Sequence, residues 1–205
     1  QDEQFVVYCG SAFRSAIAMT ALQILGYDVL NMSGGYGAWT AEEFATTTDV
    51  FEADAGEAPA IDETLLADVD AGLAAIPDGW GSIKADALNV QLIENPPDLL
   101  IDVRTPGEWE GGYIGGAVHV PLEELMSYVD ELPEDLDANI VVYCKAGHRG
   151  NMAATILRTL GYTDVYNLSG GFTAWAGAEY AVEMPEMSAD AGEGDATIAA
   201  LEAYN

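Results

Sequence analysis

The chain has 205 residues, half of them hydrophobic, which is enough for one full domain and part of a second. Thirty-five Asp plus Glu stand against six Lys plus Arg, a net charge of −29, which argues against nucleic acid or an anionic membrane as a partner because both need clustered cations. The longest apolar runs are strand-sized, so no membrane-spanning helix is expected, and the charge suits either a secreted protein or the cytoplasm of a salt-adapted organism.

In chain order, residues 5–8 (Phe-Val-Val-Tyr) read as a strand leading into the loop Cys9-Gly10-Ser11-Ala12-Phe13-Arg14, with a helix behind it. An acidic stretch follows at 42–57, and others lie at 62–70, 131–137 and 183–195, where charge keeps a surface solvated. Residues 64–75 carry helical spacing through Leu65, Leu66, Val69 and Leu73, and Pro77-Asp78-Gly79 stops the pattern. A helix is expected over 85–94, broken by Pro96-Pro97, and a buried strand over 99–103. Thr105-Pro106-Gly107 turns into the short segment Glu108-Trp109-Glu110, and 121–128 read as a helix. The strand 140–143 then leads into Cys144-Lys145-Ala146-Gly147-His148-Arg149, a helix over 150–160 and a strand over 165–168. Gly170-Gly171 opens a last helix through Trp175. Strands alternating with helices, and strands that are apolar throughout, predict an α/β fold with a largely parallel sheet.

The chain repeats itself. Residues 5–39 align with 140–175 across a single one-residue gap, and roughly half of the paired positions are identical. Gly34-Gly35 answers Gly170-Gly171, and Trp39 answers Trp175, so both tryptophans are expected as core anchors. Residues 197–204 weakly echo 64–71, the start of another unit. The expected organisation is the C-terminal half of a repeat at 1–50, an acidic linker and helix at 51–80, a complete repeat at 81–183 and an acidic tail at 184–205. The frame suggests a window on a longer precursor. A half repeat also leaves the strand at 5–8 with unpaired edges, which favours pairing with something, self-association included.

Cys9 and Cys144 are the two cysteines, in equivalent loops, and are therefore poor candidates for a disulfide. Each ends a strand and precedes a helix. Backbone N–H groups and the helix dipole at such a place favour a thiolate, the nucleophilic form. Arg149 and Arg14 close the two loops and add positive potential. Lys145 and His148 flank Cys144 and suit an anionic substrate, with the backbone of Ala146 and Gly147 completing the loop. Cys9 keeps an arginine but loses the lysine and histidine, and it reads equally as a second site or a relic. Asp102 and Arg104, at the end of a strand, touch substrate or loop on one reading and form a bracing ion pair on the favoured one. His119 is read as a hydrogen-bonded core histidine, and two histidines with two separated cysteines supply no metal cluster. No cofactor is expected.

Three segments resemble the rhodanese family of sulfurtransferases. Ile101-Asp102-Val103-Arg104 with Glu108-Trp109, Gly112-Tyr113-Ile114 and Gly116 to Pro121 resembles its N-terminal signature. Cys144 to Arg149 resembles the active-site loop, and Gly161-Tyr162 through Gly170 to Trp175 the C-terminal signature. The resemblance implies a mainly parallel five-stranded sheet with helices on both faces, plus the C-terminal half of a second such domain ahead of it at 1–50. It implies a cycle in which the Cys144 thiolate takes the outer sulfur of a donor such as thiosulfate and a thiol or cyanide removes it. Related phosphatases of the same fold carry one more residue in the loop than the four between Cys144 and Arg149, which favours a single sulfur atom over a phosphate. The competing expectations are a non-catalytic binding or assembly module completed by another chain, and a phosphatase-like or redox-sensing role.

Overall fold

Alternate side chains of an extended strand leave opposite faces, and residues 140–144 fill both. Ile140, Val142 and Cys144 enter one apolar cluster with Ile101, Leu125, Ala153 and Leu157. Val141 and Tyr143 enter another with Leu88, Leu100, Ile114, Leu168 and Trp175. A strand buried on both faces needs helices on both, and the sequence supplies them.

The computed structural model describes residues 4–49 and 60–185; residues 51–59 of the acidic linker and the echo at 197–204 lie outside these. The element order is β1 (Phe5–Val7), α1 (Phe13–Ile24), β2 (Val29–Asn31), α2 (Gly35–Ala41), α3 (Glu63–Ala74), β3 (Ser82–Ile83), α4 (Ala85–Glu94), β4 (Leu99–Asp102), α5 (Pro106–Glu110), β5 (Val118–His119), a 3-10 helix (Leu122–Glu131), β6 (Ile140–Tyr143), α6 (His148–Thr159), β7 (Val165–Leu168) and α7 (Gly171–Gly177). The five-stranded sheet has the order β3-β7-β6-β4-β5 with every pairing parallel. β1 and β2 form a separate parallel pair, Phe5 opposite Val29 and Val7 opposite Asn31. α4 and α7 cover one face of the large sheet, while α6 and the 3-10 helix cover the other. No described helix is long and apolar enough to cross a membrane.

Two edge strands of two residues each, β3 and β5, are too short to leave a periodic signal in the sequence. The helix expected over 121–128 is present as a 3-10 helix over Leu122–Glu131. Its inward residues are Leu122, Leu125 and Tyr128, and this strict three-residue interval eclipses side chains along a 3-10 helix. α3 begins on Asp62, whose Oδ1 accepts from the N–H groups of Thr64 and Leu65 at 3.0 Å each. It lies directly on α6: a Cβ at Gly72 would stand 2.9 Å from the carbonyl carbon of Arg158.

Trp39 corrects an expectation. Trp175 is 2% exposed and Trp39 39%. Their local settings match, Trp175 Nε1 donating to Ala181 O at 2.9 Å and Trp39 Nε1 to Ala45 O at 3.0 Å. The difference is tertiary: α4 and β4 lie over Trp175, and no described element stands in their place over Trp39.

Candidate active site

The Cys144 loop is held from behind by the next strand and helix. Phe172 N–H donates to Cys144 O at 2.7 Å and Thr173 N–H to Lys145 O at 3.0 Å. Gly147 O accepts from Asn167 Nδ2 at 2.8 Å, and Asn167 Nδ2 also reaches Asn151 Oδ1 at 2.8 Å. Gly147 takes φ 103, which only glycine adopts without strain, and this turn aims its N–H at Cys144 Sγ, 3.1 Å away. The sulfur therefore sits at the N-terminus of the 12-residue α6 with a backbone donor on it. Cys144 is buried while Lys145, Ala146 and His148 are exposed, so the thiol lies on the floor of the loop.

Arg149, in the first turn of α6, is engaged by a carboxylate while it still interacts electrostatically with Cys144. Its Nη1 and Nη2 grip Glu108 Oε2 and Oε1 at 2.7 and 2.8 Å. Glu108 also accepts from the N–H and the hydroxyl of Thr105, at 3.0 and 3.1 Å, so α5 is clamped to the loop. The Arg149 hydrogen bonds outweigh burial and hold the Glu108 carboxyl down at about 2. The same pair raises Arg149 above its ordinary value. A carboxyl depressed in the fold stabilises it fully above its ordinary value of 4.5, and that contribution fades as pH falls toward 2. Glu108→Gln is expected to cost about 1–2 kcal/mol at pH 7, part of the shift being lost to solvent screening at this half-exposed site. Urea unfolding should show the gap between variant and parent closing between pH 4.5 and 2.

Asp102 and Arg104 come together under the site. They are 0% and 3% exposed. Arg104 Nε reaches Oδ1 and Oδ2 at 3.0 and 2.8 Å, and Nη2 reaches Oδ2 at 2.6 Å. Nη1 and Nη2 go on to Glu108 O and Gly112 O at 3.0 and 2.7 Å, and Phe172 stacks 4.0 Å from the guanidinium. Every guanidinium nitrogen is engaged with protein. His119 Nε2–H donates to Arg104 O at 2.9 Å, and the ring stacks on Trp109. Among the described residues no cluster of His, Cys, Asp and Glu could hold a metal.

The first repeat meets this loop. His148 Nε2 lies 3.3 Å from Ser11 O, Asn151 Nδ2 donates to Phe13 O at 2.9 Å, and the Phe13 ring would stand 3.2 Å from a Cβ at Gly147. His148 is thus turned to the neighbouring repeat, and Lys145 is the loop cation left in solvent. Nothing in the sequence flagged Ser11, Phe13 or Asn151. Glu108 was readable as the fourth residue of a Thr-x-x-Glu helix start, but its union with Arg149 spans 41 residues.

Cys9 has the same scaffold. Tyr36 N–H donates to Cys9 O at 2.7 Å, and Asn31 Nδ2 to Ala12 O at 3.0 Å, with Ala12 at φ 67 in the place of Gly147. Burial pushes the Cys9 thiol up, but the Ser15 hydroxyl and the N–H groups of Ser15, Ser11 and Arg14 outweigh it and hold it at about 6. The Ser15 hydroxyl, 3.5 Å from Sγ, also lies 2.7 Å from Asn31 Oδ1. It has one proton, and ionisation of the thiol turns that proton to sulfur, the stronger acceptor. Peptide-resolved alkylation of Cys9 should be half-maximal near pH 6, and Ser15→Ala should raise that midpoint by about one pH unit.

A parallel sheet buried on both faces, with a cysteine loop at the carboxyl end of its central strand, defines the class of the protein as α/β. The chain belongs to the rhodanese-like domain family, whose model matches residues 1–42 and 85–178. It is 36% identical over 104 residues to a sulfurtransferase of Allochromatium vinosum, which covers 51% of this chain and 95% of that protein. It is 37% identical over 98 residues to a tRNA uridine(34) hydroxylase of Yersinia pestis, covering 46% of this chain but 27% of that one. A solved thiosulfate sulfurtransferase of Pseudomonas aeruginosa overlays 87% of this chain and 32% of its own at 23% identity and a TM-score of 0.48. The family match and the Allochromatium vinosum sulfurtransferase support a general sulfur-transfer role.

Proposed function

We propose that the chain moves a sulfane sulfur from an anionic donor such as thiosulfate to a thiol or cyanide through a persulfide on Cys144. The observation that carries this reading is the Gly147 N–H aimed at Cys144 Sγ at the head of α6. A donor at that place stabilises negative charge on sulfur, first as thiolate and then as persulfide anion.

The Cys144 thiolate attacks the outer sulfur of thiosulfate. The S–S bond of the donor breaks and sulfite leaves with the electron pair. The acceptor thiolate or cyanide then attacks the outer sulfur of the persulfide, and the Cys144 thiolate returns. Lys145 draws the anionic donor to the mouth of the loop. Arg149 acts through Glu108, fixing α5 against the loop, and is read as a positioning residue. Asp102 and Arg104 brace the floor from the strand side.

Intact mass after incubation with thiosulfate tests this. The expected result is a reductant-reversible gain of about 32 Da, one sulfur atom, mapped to the Cys144 peptide and absent in Cys144→Ala. A folded chain that gains nothing at Cys144 overturns the reading.

A further inference from the structure

The repeat shows what is uncovered on its first copy. Val141, Tyr143, Leu168 and Trp175 form one face of the complete repeat, sealed by Ala85 and Leu88 of α4, Leu100 of β4, and Ile114. Their counterparts in the alignment are Val6, Tyr8, Met32 and Trp39. Val6 and Tyr8 are 57% and 61% exposed, where Val141 and Tyr143 are each at 0%. Tyr36 and Phe44, counterparts of Phe172 and Tyr180, are exposed as well. Contiguous apolar surface of this kind marks a binding face.

The uncovered region has the shape of what fits it. A cavity of about 360 Å³ opens over the face, lined by Val6, Tyr8, Met32, Tyr36 and Trp39. A groove of about 590 Å³ runs along the free side of β1, past Cys9, Arg14 and Trp80. β1 spends Phe5 N–H on Asp28 O at 2.9 Å and Val7 O on Met32 N–H at 3.0 Å. Alternation along a parallel strand then turns the N–H groups of Val6 and Tyr8 to the free side. The corresponding side of β6 is occupied by β4, in register Leu99 to Ile140 through Asp102 to Tyr143. Among the described residues no strand pairs with the outer side of β2, the side that β3 takes on β7. There β3 holds β7 through Asn167 N–H to Gly81 O and Ser169 N–H to Ile83 O, each at 2.8 Å. The charge is also complementary. Arg149 has Glu108, while Arg14 makes no ion pair among the described residues and rests over Trp80, 5.6 Å from its ring centre.

We propose that this face docks an additional polypeptide segment of the rhodanese N-terminal type, a strand–helix–strand–helix–strand unit patterned like residues 81–121. Its first helix fills the 360 Å³ cavity, its strands pair with Val6–Tyr8 and with Asn31–Ser33, and a carboxylate at the place of Glu108 meets Arg14. A second intact copy of this chain is the poorer occupant. Lending its own α4 and β4 would uncover as much of its complete repeat as it covered here, so the exchange gains nothing. Docking also walls in Cys9 along the groove that now leaves it open.

The full chain with and without a polypeptide copying residues 81–121 tests this, read by amide hydrogen exchange and by binding isotherm. The expected result is one-to-one binding with at least tenfold slower exchange at Val6, Tyr8, Asn31 and Ser33. Val6→Glu, on the exposed face, should weaken binding at least tenfold while the exchange of β6 and β7 stays as it was. The proposal is overturned by unchanged exchange, both with the free polypeptide and when the same residues are joined ahead of Phe5. Protection without the polypeptide also overturns it. If it rises with chain concentration, the occupant is a second copy; if it is independent of concentration, the cover lies within the chain itself.

Discussion

Replacing Asp102 by Asn should destabilise the chain by about 3–5 kcal/mol, the range for breaking one partner out of a buried ion pair. In a chain of this size that lowers Tm by roughly 10 °C. The side chain keeps its volume but loses its charge. Arg104, 3% exposed, is then left as an uncompensated cation beneath the sheet. Its bonds to Glu108 O and Gly112 O remain, but two carbonyls do not neutralise a guanidinium. Both carbonyls belong to the segment that carries Glu108 to Arg149, so loosening Arg104 also frees the clamp on the Cys144 loop. Asp130→Asn, on an exposed face, is the control and should stay within about 0.5 kcal/mol. Denaturant unfolding of the three chains decides the matter; a loss under about 1 kcal/mol at Asp102 would mean that water, and not Asp102, carries the compensation.

The large sheet was legible because its central strands are apolar on both faces, as at 140–143, and because the chain states the strand, loop and helix twice. The helix over 85–94 appears with the bounds that its proline stop implied. The 3-10 helix was not legible, since Leu122, Leu125 and Tyr128 are compatible with either helix and only the packing against Leu157 and its neighbours selects the tighter one. β3 and β5 were invisible because two residues carry no period. Trp39 misled because similar local sequence gives a similar turn and an equivalent indole hydrogen bond, while burial depends on elements far away in the chain. At the candidate site the two cysteines and their arginines were evident from the motif. The turning of His148 toward Ser11 and the capture of Arg149 by Glu108 were not, because both depend on which segments the fold brings together.

Gly171→Ala should separate loop position from everything else in the chain. Gly171 begins α7 at φ 56, and a Cβ there would stand 2.2 Å from Cys144 O and 2.7 Å from both the carbonyl carbon and the oxygen of Lys145. These are backbone atoms, with no flexible end to move aside. The methyl group must push the Cys144 loop away from α7 and break the 2.7 Å bond from Phe172 N–H to Cys144 O. Overpacking and the left-handed backbone together should cost about 2–4 kcal/mol. A displacement near 1 Å at the nucleophile should slow sulfur loading by about 100-fold. Gly177→Ala, at the other end of the same helix with nothing within 4 Å of the new carbon, should leave loading unchanged. Gly35→Ala makes the same collision in the first repeat, 2.3 Å from Cys9 O, and its effect should fall on Cys9 alkylation. Rates of persulfide formation measured by peptide mass at a temperature where the parent and all three variants are folded would show it. If Gly171→Ala loads sulfur at the parent rate, the backbone contact between α7 and the loop does not position Cys144.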